Sequence, residues 1–289
     1  MSRFRFVEDH RDVYDVKRLC HVVGVSRSGF YAWKGRCPSP RELADAELLV
    51  RIRTIHTDSR RTYGAPRVHG VLARKGCRVG RKRVARLMRG DGLVGAHNRK
   101  KWRRRRPDLA PAPDRLNRQF KALRPNMAWV ADITEFPTGE GKLYVAGIRD
   151  LCHRGLIGWS MGEHQDAELV VDAMIMALGR CTPDDTGLIH HSDKGSQYTS
   201  RDFCAAADLN GLKVSFGSTG DCFDNAAMET FWSVLKREIA WIRGSIWFPT
   251  RDQAKLYLFE FIEVFYNRQR HQAGLSYMTP AEFAATFNA

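Results

Sequence analysis

Residues 127–136 read MAWVADITEF, with one acid, Asp132, set among Trp129, Val130, Ala131 and Ile133. Aromatic and β-branched residues in a short run favour a strand, and carboxylates rarely sit in such apolar company without a partner. Downstream, KLYVAGIRD (142–150) and GLIGWSM (155–161) read as second and third strands, with Gly139-Glu140-Gly141 turning between the first two. AELVVDAMIMALGR (167–180) is patterned as an amphipathic helix. GLIHHSD (187–193) is a short buried strand that ends on Asp193, SRDFCAAADLNG (200–211) a helix stopped by Gly211, residues 212–216 a further strand and residues 225–239 a helix carrying Glu229. Three strands followed by helix, strand, helix, strand, helix predict a mixed α/β layer fold.

Asp132, Asp193 and Glu229 therefore fall on three separate elements, with 35 residues between Asp193 and Glu229. Mg²⁺ prefers oxygen ligands and retains waters, so three carboxylates suit two ions bridged by a substrate phosphate. Lys236 lies seven residues beyond Glu229, two turns on along the same helix face. Among neighbouring polar residues, Asp224 or Asn225 is expected to cap that helix. Asp150 ends the second strand and is a candidate supporting group, while Glu135, Asp221 and Glu238 have no comparable setting. His190 and His191 adjoin Asp193 and fit either a site-facing or a core role.

The charge distribution is lopsided. The chain of 289 residues carries a formal charge of +15. Residues 41–106 alone hold 21 Lys/Arg and 5 Asp/Glu, leaving 26 bases and 27 acids elsewhere. That is the footprint of a polyanion-binding segment joined to a near-neutral body. Within it, helices are expected at about 41–57 (Leu48, Leu49, Ile52, Ile55 inward), from Pro66 to about Lys75, and from about Gly80. The last packs Val84, Leu87 and Met88 inward and turns Arg81, Lys82, Arg83, Arg86 and Arg89 outward, as a DNA-contacting helix does. HNRKKWRRRRPDLAPAP then reads as a basic, proline-containing linker in which Lys100, Lys101, Arg103 and Arg104 are further candidate phosphate contacts.

The first 36 residues read as two short helices. Val13, Val16, Leu19 and Cys20 form the stripe of one, Ser26 caps the other, and Pro38 and Pro40 close the unit, in the outline of a helix-turn-helix. The expected organisation is an N-terminal helical segment (1–37), a basic helix-turn-helix domain (41–100), a basic linker (101–125), a catalytic core (126–240) and a C-terminal helical extension (241–289). No run of 18 apolar residues predicts a membrane span, and MSRFRFVEDH lacks the apolar stretch of a secretory signal. Seven cysteines at 20, 37, 77, 152, 181, 204 and 222 form no CxxC pair, which points to free thiols in a reducing cytoplasm rather than to disulfides or zinc.

Three patterns now line up: Trp129/Asp132/Ile133/Thr134, then His191/Ser192/Asp193/Gly195/Gln197/Tyr198, then Asp224/Asn225/Ala226/Glu229/Phe231/Leu235/Lys236. They follow W-x-x-D-I-T, H-S-D-x-G-x-Q-Y and D-N-A-x-x-E-x-F-x-x-L-K. In this the chain resembles the second-frame proteins of the insertion-sequence-three family of bacterial transposases, whose core is retroviral-integrase-like. YGAPRVHGVLARKGCRVGRKRVARLM and CHVVGVSRSGFYAW resemble the family's upstream region, so the resemblance covers nearly the whole chain. Two stretches depart from it. YNRQRHQAGLSYMTP has His271 directly after Arg270 and Leu275 one position late, and SFGSTGDCFDN is less basic than the corresponding family loop.

The resemblance implies a ribonuclease H-like core with a mixed five-stranded sheet, preceded by an all-α helix-turn-helix region. It implies Mg²⁺, with Mn²⁺ able to substitute, held by Asp132, Asp193 and Glu229, and Lys236 positioning end DNA. It implies DNA cleavage and strand transfer at insertion-sequence ends by a nucleoid-associated cytoplasmic enzyme. Its partners would be double-stranded DNA, a first-frame protein or fusion, and further copies of the chain on DNA. A transposon-derived DNA-binding regulator and a ribonuclease H-type hydrolase are the competing readings.

Overall fold

The computed structural model describes residues 3–97, 122–181, 187–216 and 225–287. By its contacts the chain divides into two compact units, Met1–Arg51 and Ile52–Ala289.

The first unit holds α1 (Arg3–His10), α2 (Val16–Val23), α3 (Arg27–Lys34) and the start of α4 (Pro40–Asp58), and α1–α3 meet in a core of Val7, Leu19, Cys20 and Phe30. It contains three helices where the sequence predicts two before residue 37. Val13, expected on the apolar stripe, is 74% exposed. The cause is the cap: the Asp15 carboxylate accepts the N–H groups of Lys17 (2.8 Å) and Arg18 (3.2 Å), so α2 starts after it and leaves Val13 outside. Pro40 does not close the unit but opens α4, where its missing N–H is no loss.

In the second unit, the end of α4 packs with α5 (Ala65–Arg74) and α6 (Arg81–Gly90), burying Ile52, Ile55, Val68, Val71, Leu72, Val84 and Met88. The sheet follows as β1 (Ala128–Thr138), β2 (Gly141–Asp150) and β3 (Leu156–Gly162), then α7 (Ala167–Arg180), β4 (Ile189–Ser192), α8 (Arg201–Leu209) and β5 (Lys213–Phe216). The chain continues through α9 (Ala226–Arg243), α10 (Arg251–Glu260), a π-helical segment Phe261–Gln269 and α11 (Pro280–Ala285).

The strand order is β3-β2-β1-β4-β5. β1–β2 and β2–β3 pair antiparallel, and β1–β4 and β4–β5 pair parallel. Alternation along β1 divides the core between two layers. Trp129 and Ala131 join α7 and α8 through Leu169, Val170, Met174 and Phe203. Ala128, Val130 and Phe136 join α9 and the C-terminal helices through Phe231, Leu235, Leu258 and Phe265. The helix α9 lies close to the sheet because β2 offers Gly147, where a Cβ would come within 2.8 Å of the Trp232 ring.

Residues 60–74 of the same unit are fastened to this layer. The Trp241 indole donates to the Arg61 carbonyl (2.9 Å), the His271 N–H to the Tyr63 hydroxyl (2.6 Å) and the Arg74 guanidinium to Glu282 (2.7 Å), and Arg60 pairs with Glu260. At the centre, Arg270 grips Glu238 through two bonds of 2.8 Å, with Arg67 of α5 3.5 Å from the same carboxylate.

Candidate active site

Asp132 shares the Val130 face of β1, toward α9. Val130 is the register partner of His191 on parallel β4, so two residues further on Asp193 comes level with Asp132. Glu229 stands in the first turn of α9. Asp132 is half-buried, whereas Asp193 and Glu229 are exposed. Burial pushes the Asp132 carboxyl up to about 7, and the charges of Asp193 and Glu229 push the same way against the pull of Lys236. The three acids thus share one electrostatic neighbourhood. Among the described residues no three His, Cys, Asp or Glu groups close into a cage that holds an ion as they stand. Asp193 is held from below, its Oδ1 accepting the Gly195 N–H at 3.0 Å.

Lys236 is half-buried, its ammonium 5.3 Å from the Phe136 ring centre. Burial lowers its pKa, while Glu135 and Asp132 act to raise it, so it belongs to the same acidic neighbourhood. Asn225 is the N-cap residue of α9, as expected, but its side chain makes no capping bond. Its Nδ2 instead donates to the Ala131 carbonyl at 3.0 Å, tying the start of α9 to β1 beside Asp132. Asp224 and Asp221 lie outside the described residues.

The other candidates separate clearly. His190 is fully buried, 5.2 Å ring to ring from Phe203 and 6.1 Å from Tyr198, and burial lowers its pKa to about 4, so it is a neutral core residue. His191 Nδ1 lies 3.1 Å from the Ser215 hydroxyl. Asp150 is no site group. It accepts the N–H groups of Asn126 (2.8 Å), Cys152 (2.8 Å) and His153 (3.0 Å) and so locks the β2–β3 turn. Glu135 pairs with Lys142 at 2.8 Å.

Two residues escape the sequence reading. Glu238 is 1% exposed and clasps Arg270. Its position three after Leu235, on the stripe of Met228, Phe231, Trp232 and Leu235, was the available signal. Tyr198 is buried, and its hydroxyl finds no partner among the described residues. Burial raises its pKa, reinforced by Asp132 and Asp193, which places it beside the acids.

On α6, Val84 and Met88 are buried and Leu87 half-buried, as expected. Arg81, Lys82, Arg86 and Arg89 are exposed and Arg83 is half-buried. Lys100, Lys101, Arg103 and Arg104 lie outside the described residues.

Residues 122–222 and 229–286 match family models described as an integrase core domain, and residues 42–101 one described as an HTH-like domain. Together with the sheet order, these matches define a polynucleotidyl transferase with a ribonuclease H-like integrase core and a helical N-terminal region.

The chain is 41% identical over 273 residues to a 31 kDa protein of insertion element IS600 from Shigella sonnei, covering 93% of this chain and 98% of that one. It is 36% identical over 250 residues to the transposase of IS904 from Lactococcus lactis, covering 86% and 97%. It is 35% identical over 285 residues to the transposase InsF of IS3A from Escherichia coli, covering 97% and 98%. The chain belongs to the IS3 family of insertion-sequence transposases.

Proposed function

We propose that this transposase cuts and rejoins DNA at the ends of its insertion sequence, with Asp132, Asp193 and Glu229 as its catalytic acids. The observation that carries the assignment is Asp132 itself. It is a carboxyl on the central strand, level with Asp193 and under the first turn of α9, with a proton affinity raised by burial and by two further acids. Such a group is unfavourable as an anion until a cation joins it. The donor set is all oxygen, which fits Mg²⁺, with Mn²⁺ substituting. Bound there, the ion supplies activation of the attacking oxygen and charge stabilisation at phosphorus.

The chain's own groups orient the reaction. Asn225 fixes the start of α9 against β1, and with it the height of Glu229. Lys236 brings a cation to the edge of the acids, where a phosphate of the end DNA docks. Arg81, Lys82, Arg83, Arg86 and Arg89 on α6, with Lys100, Lys101, Arg103 and Arg104 beyond it, hold the duplex. Nicking frees a 3′-hydroxyl. That hydroxyl then attacks a target phosphodiester, so one P–O bond forms for each that breaks. The working organisation follows the division into residues 1–37, 41–100, 101–125, 126–240 and 241–289. The site of action is cytoplasmic DNA, with a first-frame protein and further copies of the chain as partners. Among the described residues no helix is long and apolar enough to cross a membrane.

End-labelled duplex from the encoding element, incubated with the protein and Mg²⁺, is expected to yield a nicked strand with a free 3′-hydroxyl and then a joined product. No product at any protein concentration, with binding intact, would favour a DNA-binding regulator.

A further inference from the structure

The helices of residues 3–34 lie outside the three family matches and carry none of the three acids. They nevertheless form a core of their own, in which Val7 of α1, Leu19 and Cys20 of α2 and Phe30 of α3 meet. α2 stops at Gly24, which takes the left-handed conformation at φ 67°, and its N–H and that of Val25 return to α2 carbonyls. Ser26 then caps α3, accepting the Gly29 N–H at 3.0 Å. Helix, three-residue turn with a left-handed glycine, and capped helix is the geometry of a helix-turn-helix.

The outward face of α3 is equipped for reading. Its eight residues bury only Phe30. Arg27 and Ser28 in its first turn are exposed, and so is Tyr31 one turn on, at 52%. First-turn side chains are the ones that reach base edges when such a helix enters the major groove. An α-helix with its side chains is about 10–12 Å across, which fits a groove about 12 Å wide. Charge fits the same occupant. From Val16 to Cys37 the chain has five Lys/Arg and no Asp or Glu, with Lys17 and Arg18 exposed at the start of α2. Lys34, at the end of α3, is paired with Glu8 at 3.4 Å and is not part of the reading face.

We propose that residues 3–34 are a second, sequence-reading DNA-binding module, separate from α5 and α6, with α3 as the helix in the major groove and Arg27, Ser28 and Tyr31 as its base-reading side chains. The chain then recognises duplex DNA in two parts, one through α3 and one through α6. This does not rest on the assignment of the catalytic acids.

The test is selection of a pool of duplexes with a random 30-bp interior by the full chain, by Arg27→Ala/Tyr31→Ala and by Arg81→Ala/Lys82→Ala. All the substituted side chains on α3 are exposed, so unchanged melting is expected. The wild type is expected to enrich a motif of two parts. Arg27→Ala/Tyr31→Ala loses one part, with discrimination at the affected bases falling about 10- to 100-fold, and keeps the other. The α6 variant keeps the part that the α3 variant loses. A wild-type motif of one part overturns the proposal, as does an α3 variant with the wild-type motif. An α3 variant that keeps the motif but loses self-association assigns this face to a second copy of the chain instead.

Discussion

Glu238→Gln gives the sharpest test of how the fold holds α9. The side chains of Glu238 and Arg270 are 1% and 5% exposed, and two bonds of 2.8 Å join them. Arg67 stands 3.5 Å away on the same carboxylate. Burial alone pushes the Glu238 carboxyl upward, but Arg270 and then Arg67 outweigh it and hold its pKa below the ordinary value of 4.5. Removing the charge leaves the buried Arg270 guanidinium, and the half-buried Arg67 beside it, without their anion, which costs about 3–5 kcal/mol. For a unit of this size that is a fall in Tm of roughly 6–20 °C. The signature has a pH arm. A depressed carboxyl adds stability above its unfolded pKa and loses it as pH falls through the folded value. The wild type should therefore begin to lose its advantage over Glu238→Gln as pH falls below the ordinary value of 4.5. Thermal melts of both proteins from pH 3 to 8, with Glu238→Leu/Arg270→Met alongside, make the measurement. The double variant should recover much of the loss, because an apolar pair of similar volume carries no unpaired charge. A Glu238→Gln penalty under about 1 kcal/mol at pH 7, or one that does not shrink in acid, would refute the clamp.

Three further outcomes follow from the same geometry. In chelator, Asp132→Asn should melt above the wild type at pH 8 by at most about 4 kcal/mol and match it near pH 4. The folded carboxyl, at about 7 against 3.8, makes the wild type lose stability as pH climbs through that window, and a lower-melting variant at pH 8 contradicts this. Gly147→Ala should cost about 1–3 kcal/mol in urea unfolding, since its Cβ meets Trp232 at 2.8 Å, and an unchanged midpoint would deny the close packing of α9. Arg81→Ala/Lys82→Ala should lower the slope of log affinity against log salt by about one per lost phosphate contact, whereas an unchanged slope removes α6 from the DNA.

Sequence reading reached most of the core because periodicity is strong there. The helix read at 167–180 is α7 to the residue, capped by Asp166 at the Leu169 N–H. The strands of residues 127–162 were legible from their β-branched runs and the Gly139-Glu140-Gly141 turn. What stayed hidden depends on partners distant in sequence. Glu238 offered no setting that marked it out, because Arg270 lies 32 residues away. Asn225 reads as a cap, yet bonds the Ala131 carbonyl 94 residues back. α1 buries only Val7, so it shows no apolar stripe. The acid trio itself is split. Asp132 declares itself by an apolar setting, whereas Glu229, exposed on a helix, is distinguished only by its motif and by Lys236 on its face.

The most direct test of the central claim is single-turnover cleavage of an end-labelled element duplex in Mg²⁺ by Asp193→Asn. The substitution keeps the side chain's shape and its acceptor for the Gly195 N–H while removing the charge. Nicking and joining are both expected to disappear, while affinity for the duplex stays within a few-fold of wild type. Cleavage at an undiminished rate, or loss of binding with the chemistry intact, would contradict it.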